Sequence, residues 1–398
     1  MSHLSYLEKL LDGFEVEWLP LKDVLVRTKG TKITAGQMKT LHKDGAPLKI
    51  FAGGKTIAFV DFKDIPEKDV NRKPSIIVKS RGIIEFEYYE KPFSHKNEMW
   101  SYYSDNNAIH IKFIYHFLKL HERHFQGIGS RMQMPQIATP DTDKFLVPIP
   151  CPNNPEKSLA IQAEIVRILD AFTAMTAELT AELNMRKKQY NYYRDQLLSF
   201  ELGDVEWKTL EEVAHFANGK GHEKDISEDG KFIVVNSKFI STDGLVAKYS
   251  DSQICPLFKD DILLVMSDLP NGKALSKTFI VDEDERYTLN QRIGGITIKD
   301  KSEILPKFLH YFLDRTPQLL KHNNGVDQTN LRKGQILEVK VPILPLHKQE
   351  HIVSILDKFD KLTKSLSEGL PREIELRQKQ YEYYRDLLLS FPKSDEAA

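Results

Sequence analysis

Four stretches of this sequence come near a catalytic signature, and each lacks the part that does the chemistry. A phosphate-binding P-loop needs Gly-x-x-x-x-Gly-Lys-Ser/Thr, because glycine-freed amides cradle the phosphates and the lysine reaches the outer ones. Gly54-Lys55-Thr56 supplies the tail, but Lys49 stands where the first glycine is required; the stretch reads as a turn in a glycine-rich loop. An amino-methyltransferase carries Asp/Asn-Pro-Pro-Tyr/Phe, and the nearest approach, Asp268-Leu269-Pro270-Asn271, does not match. Pro140-Asp141 with a later acidic-x-Lys could begin a nuclease site, yet Asp141 and Asp143 read better as a turn before a strand. His116, His121 and His124 share one helical region and could bind a metal, but no fourth ligand lies at a sensible spacing. A solvated or partly packed helix face accounts for them. Cys151 and Cys255 are too few for a disulfide framework or a thiolate zinc site. No catalytic centre is legible, so the elements that organise the chain carry the argument.

One of those elements occurs twice. Residues 186–200 read Arg-Lys-Lys-Gln-Tyr-Asn-Tyr-Tyr-Arg-Asp-Gln-Leu-Leu-Ser-Phe, and residues 377–391 agree with them at twelve of fifteen positions. Agreement at that level marks an internal repeat. Upstream of each copy stands a related signature, Ile168-Leu169-Asp170-Ala171-Phe172 and Ile355-Leu356-Asp357-Lys358-Phe359. The halves also begin alike, with Val16-Glu17-Trp18 and Val205-Glu206-Trp207. Tyr6, Leu10 and Leu11 echo Tyr193, Leu197 and Leu198, so the chain opens on a short piece of the element that closes both halves. The pattern predicts a pseudo-twofold, nearly circular arrangement in which similar ends enclose two dissimilar interiors.

The 398 residues leave room for two or three domains, and 41 % apolar with 28 % charged residues is ordinary for a globular chain. No apolar run of about eighteen residues exists to span a bilayer, and the N-terminus lacks the features of a signal peptide; a cytoplasmic setting is expected. Net charge is −1, but residues 21–150 carry 21 Lys and Arg against 14 Asp and Glu, while residues 211–345 carry 18 against 20. Only the first interior is basic.

In order, the sequence predicts a short helix at 4–14 and a mixed α/β globule at 15–154 with a helix through Ile109–His124. A long helix at 158–200 follows, seamed by Ile161, Ile165, Ile168, Phe172, Met175, Leu179 and Leu183 at coiled-coil spacing. Forty residues at about 1.5 Å each give roughly 60 Å. Within it lies a tandem, Thr176-Ala177-Glu178-Leu179 and Thr180-Ala181-Glu182-Leu183. Four residues are close to one turn, so each copy adds about 6 Å while nearly keeping the helical face. A second α/β globule at 204–345 has strands at Phe232–Val235, Asp261–Met266 and Thr278–Val281 and a helix at Pro306–Leu313. The last helix, 347–391, should kink or break at Gly369-Leu370-Pro371. Packing the two amphipathic helices on each other as an antiparallel coiled coil would bury both seams and make a ruler between the globules.

The paired Gln-Tyr-x-Tyr-Tyr-Arg-Asp-x-Leu-Leu-Ser-Phe segments, the Ile-Leu-Asp-x-Phe signatures, Gly369-Leu370-Pro371-Arg372-Glu373-Ile374-Glu375-Leu376 and the Thr-Ala-Glu-Leu tandem resemble the DNA-specificity subunit of type I restriction-modification systems. They are similar to its subgroup with such tetrapeptide repeats (type IC). The likeness is specific in the N-terminal segment (1–14), the central helix (155–203) and residues 346–393 of the C-terminal helical region (346–398), and only topological in the globules. It implies two target recognition domains, 15–154 and 204–345, each reading one half of a split, asymmetric DNA sequence. It further implies a chain without catalytic activity or cofactor of its own. Two modification subunits would use S-adenosylmethionine to methylate adenine N6, and restriction subunits would bring an ATP- and Mg-dependent translocase and nuclease.

On that resemblance, phosphate contacts call for Lys and Arg, and base edges for Arg, Lys, Asn and Gln. In the first globule the candidates are Lys29, Lys32, Lys55, Arg81, Arg131 and Gln133. Arg131 and Gln133 lie in a loop after the helix whose counterpart carries Asn324, Gln328, Arg332 and Lys333; Lys220, Asn236, Lys238 and Arg292 are further choices. Tyr190, Tyr193, Arg194, Tyr381, Tyr384 and Arg385 are candidates for the modification-subunit interface, because Tyr and Arg combine apolar area with polar ends. Internal packing of the helices is the competing use of those tyrosines. The alternative function is a structural adaptor whose helices space two protein-binding modules without DNA.

Overall fold

The computed structural model describes residues 6–392 apart from 131–132, 202, 204, 223–224, 270–271 and 366–367. The chain forms two compact units, one of residues 1–180 with 373–398 and one of residues 181–372. The division falls within a continuous helix, Pro155–Leu197, of 43 residues.

Each unit is closed at its base by an antiparallel strand pair. In the first, Val16–Pro20 pairs with Leu146–Pro150 and sets Trp18 opposite Pro148. In the second, Glu206–Thr209 pairs with Lys340–Ile343 and sets Trp207 opposite Pro342. Proline cannot donate to a ladder, and a two-stranded pair, which is all edge, tolerates it.

The interiors differ in sequence but share a topology. The first contains a four-stranded antiparallel sheet in the order Val26–Lys29, Trp100–Tyr103, Ser75–Lys79, Glu85–Tyr89. Beside it, Leu48–Phe51 pairs antiparallel with Ile57–Val60 and parallel with Phe93–His95. The second repeats both arrangements. Ala214–Asn218, Ile293–Ile298, Ile262–Val265 and Thr278–Ile280 form the larger sheet. Phe232–Val235 pairs antiparallel with Tyr249–Ser250 and parallel with Tyr287–Leu289. The central strands read Ile-Ile-Val and Ile-Leu-Leu-Val and are buried on both faces, as continuous apolar runs should be. The expected helix over 109–124 is two helices, Ile111–Leu120 and Glu122–Gly129, meeting at His121.

Two buried glutamines tie each interior to its long helix. Gln162 accepts a hydrogen bond from His110 N (2.9 Å) and donates to Ala108 O and Ser158 Oγ (both 3.0 Å). Gln349 accepts from Leu305 N (2.8 Å) and donates to Glu303 O (2.8 Å) and Leu344 O (2.7 Å). A fully satisfied amide at that depth fixes one register, because any shift would strand several buried polar groups.

The first and last described segments meet in the first unit. Leu7 and Leu11 share its core with Ile161, Ile165, Leu169, Leu388, Leu389 and Phe391, Phe391 meets Phe113 at 5.8 Å, and the Trp18 indole donates to Pro392 O at 2.9 Å. In the second unit Leu197, Leu198 and Phe200 pack against the core containing Leu356 and Phe308. Each copy of the repeat thus closes one unit.

The seam is the expected one at Ile161, Ile165 and Ile352, and shifts by a residue at the Ile-Leu-Asp-x-Phe signatures. Leu169 and Leu356 are buried, while Ile168 and Ile355 are only half-buried and Met175 is 40 % exposed. A helix lying on a globular core buries a broad 3.6-residue face rather than a strict coiled-coil stripe. The C-terminal helix breaks, as expected, into Leu346–Thr363 and Gly369–Leu389. The break is made by Gly369, at φ +79, where a Cβ would stand 2.4 Å from Lys361 O. Pro371 falls in the first turn of the new helix, where its missing N–H costs nothing. The sequence seam of the last helix is Ile352, Ile355, Phe359, Leu362 and Leu366; Leu366 lies outside the described residues.

Candidate nucleic-acid interface

The polar candidates of the first interior fall in three places. Lys29 and Lys32 line a cleft of about 1030 Å3 whose walls also carry Arg27, Lys68, Arg72 and Lys73. Arg72 is paired with Glu67 (2.9 Å) and Lys73 with Asp105, so part of that charge is internally balanced. Asn71 faces the same cleft, and its buried Nδ2 has no hydrogen-bond partner among the described residues. Lys55 is exposed at the tip of the hairpin between Leu48–Phe51 and Ile57–Val60, beside Gly54 at φ +65. A P-loop lies between a strand and a helix, so this turn is not one.

The third place is a pair of crossing segments. Residues 80–84 follow a central strand, residues 133–137 follow the helix Glu122–Gly129, and the two run antiparallel. Gly82 N donates to Pro135 O (2.8 Å), Ile137 N to Ser80 O (3.0 Å), and the Arg81 guanidinium to Gln136 Oε1 (3.2 and 3.3 Å). Gln133 is exposed beside them. Arg131 lies outside the described residues.

The second unit builds the same crossing. Ser267–Asp268 pairs with Thr329–Asn330, and Leu331 N donates to Met266 O at 2.7 Å. Gln328 donates to Ser267 Oγ at 2.8 Å. Asn324 holds the neighbouring turn, accepting from Val326 N and Asp327 N (both 3.0 Å). Arg332 and Lys333 are exposed at the start of the short helix Lys333–Leu337. Arg292 is exposed, and its carbonyl accepts from Met266 N (3.1 Å), which brings it to the foot of the crossing. Lys220 and Lys238 are exposed elsewhere on the unit. Asn236 spends its side chain capping Ser237–Ser241 through Phe239 N (2.9 Å).

The repeated tyrosines divide by depth. Tyr190 is 6 % exposed, packs on Phe359 (6.1 Å) and Lys364, and burial pushes its hydroxyl up to about 12. Tyr193 stacks on Phe359 at 5.9 Å, and in the first unit Tyr384 stacks on Phe172 at 5.2 Å. The phenylalanine of each Ile-Leu-Asp-x-Phe signature therefore receives the third tyrosine of a repeat. Tyr381 is half-buried, while Arg194 and Arg385 pair with Asp195 and Asp386 at 2.9 and 2.7 Å. The more exposed residues are the middle tyrosines, Tyr192 (59 %) and Tyr383 (64 %), which the sequence reading passed over. Their position two residues after an inward tyrosine, on the opposite face of a helix, was the available signal.

In the Thr-Ala-Glu-Leu tandem, Thr176 and Thr180 donate back to Phe172 O and Thr176 O (2.9 and 2.8 Å), and Leu179 and Leu183 are half-buried. The helix is unbroken there.

The histidines are packing residues. His116 is buried with Nε2 3.0 Å from Asp170, which also pairs with Lys112 at 2.7 Å. Burial holds its imidazole below the usual range although Asp170 opposes this. His121 and His124 pack on Phe145. In the second unit Asp357 takes the same place, bonded to Tyr311 (2.7 Å) and Lys307 (2.6 Å). No cluster of metal-ligating side chains occurs among the described residues, and no described helix is long and apolar enough to cross a membrane.

The family described as the type I restriction modification DNA specificity domain matches residues 20–186 and again 203–376. The specificity subunit of the type I restriction enzyme EcoR124I/EcoR124II of Escherichia coli is 39 % identical over 414 residues, covering 99 % of each chain. The EcoprrI specificity subunit, also of Escherichia coli, is 32 % identical over 402 residues, covering 92 % of this chain and 93 % of the relative. Among solved structures, the S subunit of a type I restriction-modification system from M. genitalium superposes with a TM-score of 0.60 at 16 % identity, over 96 % of this chain and 98 % of that one. A chain from a study of type I R-M complex assembly gives 0.55 at 12 %, over 94 % and 97 %. At those identities the structural likeness speaks for the fold.

Proposed function

This chain belongs to the type I restriction-modification DNA specificity family, as a non-catalytic subunit that supplies sequence specificity, and we propose how its parts divide that work. Residues 15–154 and 204–345 are two target recognition domains, each reading one half of a split DNA target. Residues 155–203 and 346–398 set the spacer between the halves.

The observation that carries this reading is the crossing of segments present in both units at the same point of one topology. In the first it gathers Arg81, Gln133 and Gln136; in the second Gln328, Asn330 and Arg292. Arg, Gln and Asn offer the hydrogen-bonding groups that base edges in the major groove match. Arg131, Arg332 and Lys333 complete the set from the same loops. Lys29, Lys32, Lys55, Lys220 and Lys238 would contact phosphates, which position the duplex without reading it.

Two modification subunits dock on the repeated helix faces, through Tyr192 and Tyr383 together with the exposed edges of Tyr193, Tyr384, Arg194 and Arg385. Tyr190 and Tyr381 act mainly from within, bracing those faces. The partners flip and methylate adenine at N6; S-adenosylmethionine, ATP and magnesium belong to them and to the restriction subunits. The assembly works in the cytoplasm.

Single-molecule methylome sequencing of a host with the modification subunit, with and without this chain, tests the function. N6-methyladenine in one split motif, present only with the chain, is expected; its absence while the subunits co-purify would defeat the reading. Deleting Thr180–Leu183 should shorten the spacer and leave both half-sites unchanged, and an unaltered spacer would reject the ruler.

A further inference from the structure

The two crossings share a feature that hydrogen bonding does not explain. Within residues 15–150, the two most exposed large apolar side chains among the described residues are Met134 (57 %) and Ile83 (52 %). Within the second unit they are Val326 (74 %) and Leu269 (69 %). Ile83 and Met134 stand opposite each other in the first crossing, Leu269 takes the place of Ile83 in the second, and Val326 stands in the turn that leads into it. Ile83 follows Gly82, which bonds to Pro135 beside Met134. Leu269 follows Asp268, whose partner Thr329 lies three residues beyond Val326. A single exposed aliphatic side chain needs no explanation. An exposed aliphatic side chain at the same register position of both crossings, Ile83 and Leu269, with a second one in or just before the opposing segment, in two domains with different sequences, does.

The surroundings narrow the choice. Beside Ile83 lies an apolar cleft of about 260 Å3 lined by Gly82, Ile84, Gln126, Ser130 and Pro135. Its polar side chains are engaged elsewhere, Gln126 donating to Ile84 O (3.0 Å) and Ser130 to Gly127 O (2.9 Å). The cleft therefore offers apolar walls. In both units the aliphatic residues stand next to Arg, Gln or Asn, the side chains suited to base edges. The major groove admits a two-stranded ribbon, and its one apolar marker is the thymine 5-methyl group.

We propose that the aliphatic pairs Ile83/Met134 and Leu269/Val326 are specificity-determining contacts to thymine methyl groups, one pair in each half-site. The inference rests on the reading of these crossings as DNA-facing. The neighbouring polar residues select by hydrogen bonding, and the aliphatic side chains favour thymine over cytosine, which lacks the methyl group and presents an amino donor in place of the O4 acceptor.

Uracil differs from thymine only in lacking that methyl, which makes it the probe. The complex of this chain with its modification subunits is titrated with target duplexes in which each thymine of both half-sites is replaced singly by uracil. In each half-site at least one replacement should weaken binding about fourfold, the factor that burying one methyl is worth. Ile83→Ala should lose a similar factor on the unmodified target and become indifferent to uracil at its position, with the other half-site still sensitive; Leu269→Ala should do the converse. Target-specific binding that is insensitive to every uracil would overturn the methyl contact and leave the DNA reading standing. Failure of the unaltered complex to bind its target specifically would overturn both. If the alanine variants instead release the modification subunits, the pairs belong to a protein contact and the inference falls.

Discussion

The two units are built from the same parts where nothing is read and from different parts where reading is proposed. Gln162 and Gln349, Asp170 and Asp357, and Phe172 and Phe359 make matching contacts in their own units. At the crossings, Arg81 with Gln136 in one unit stands where Ser267 with Asn330 stands in the other. Buried polar ties and stacked rings have few satisfactory solutions, so a frame reuses them. An exposed segment is free to change once the frame holds it. The duplication thus separates holding from reading within one chain.

The comparison is most sharply strained where the units are closed. Phe391 is 6 % exposed in the core it shares with Leu7 and Leu11, whereas its counterpart Phe200 is only partly buried. Phe391→Ala should cost about 4 kcal/mol, and Phe200→Ala about half that, by urea unfolding of the two variants. Equal losses would mean that the N-terminal helix adds nothing to the first closure.

A smaller difference concerns pH. His95 occupies in the first unit the ladder position that Leu289 holds in the second. Burial lowers its imidazole to about 4, against the ordinary 6.5 expected in the unfolded chain. The unfolded chain therefore takes up the proton first. The stability concerned is present above about pH 6.5 and lost as pH falls towards 4, by up to about 3 kcal/mol. His95→Leu should flatten that slope relative to the unaltered chain. Parallel stability–pH curves for the two would show that His95 is not the source.

Much of the frame was legible because it is written in repeats and runs. Phe232–Val235 and Pro306–Leu313 appear where the apolar runs placed them, and the helix break falls at Gly369. The shared topology of the interiors was not legible, since strand order is decided by pairings between distant segments whose side chains vary freely. Nothing in the sequence sets Gln162 and Gln349 apart from surface residues of an amphipathic helix; only the backbone groups they satisfy reveal their depth. The tyrosines were legible as a set but not by depth. Tyr190 faces inward against Phe359, and Tyr192 faces out, because a helix turns about 100° per residue. Of the candidate site, the post-helix loops were found from composition, while the segments they cross, 80–84 and 267–269, contributed only Arg81.

The central claim is that each unit reads its own half of the target on a common frame. It is tested most directly by replacing residues 21–150 with those of a relative of different specificity and sequencing the methylome of the host. One half-site should change while the other half-site and the spacer persist. A change in both half-sites would contradict the claim.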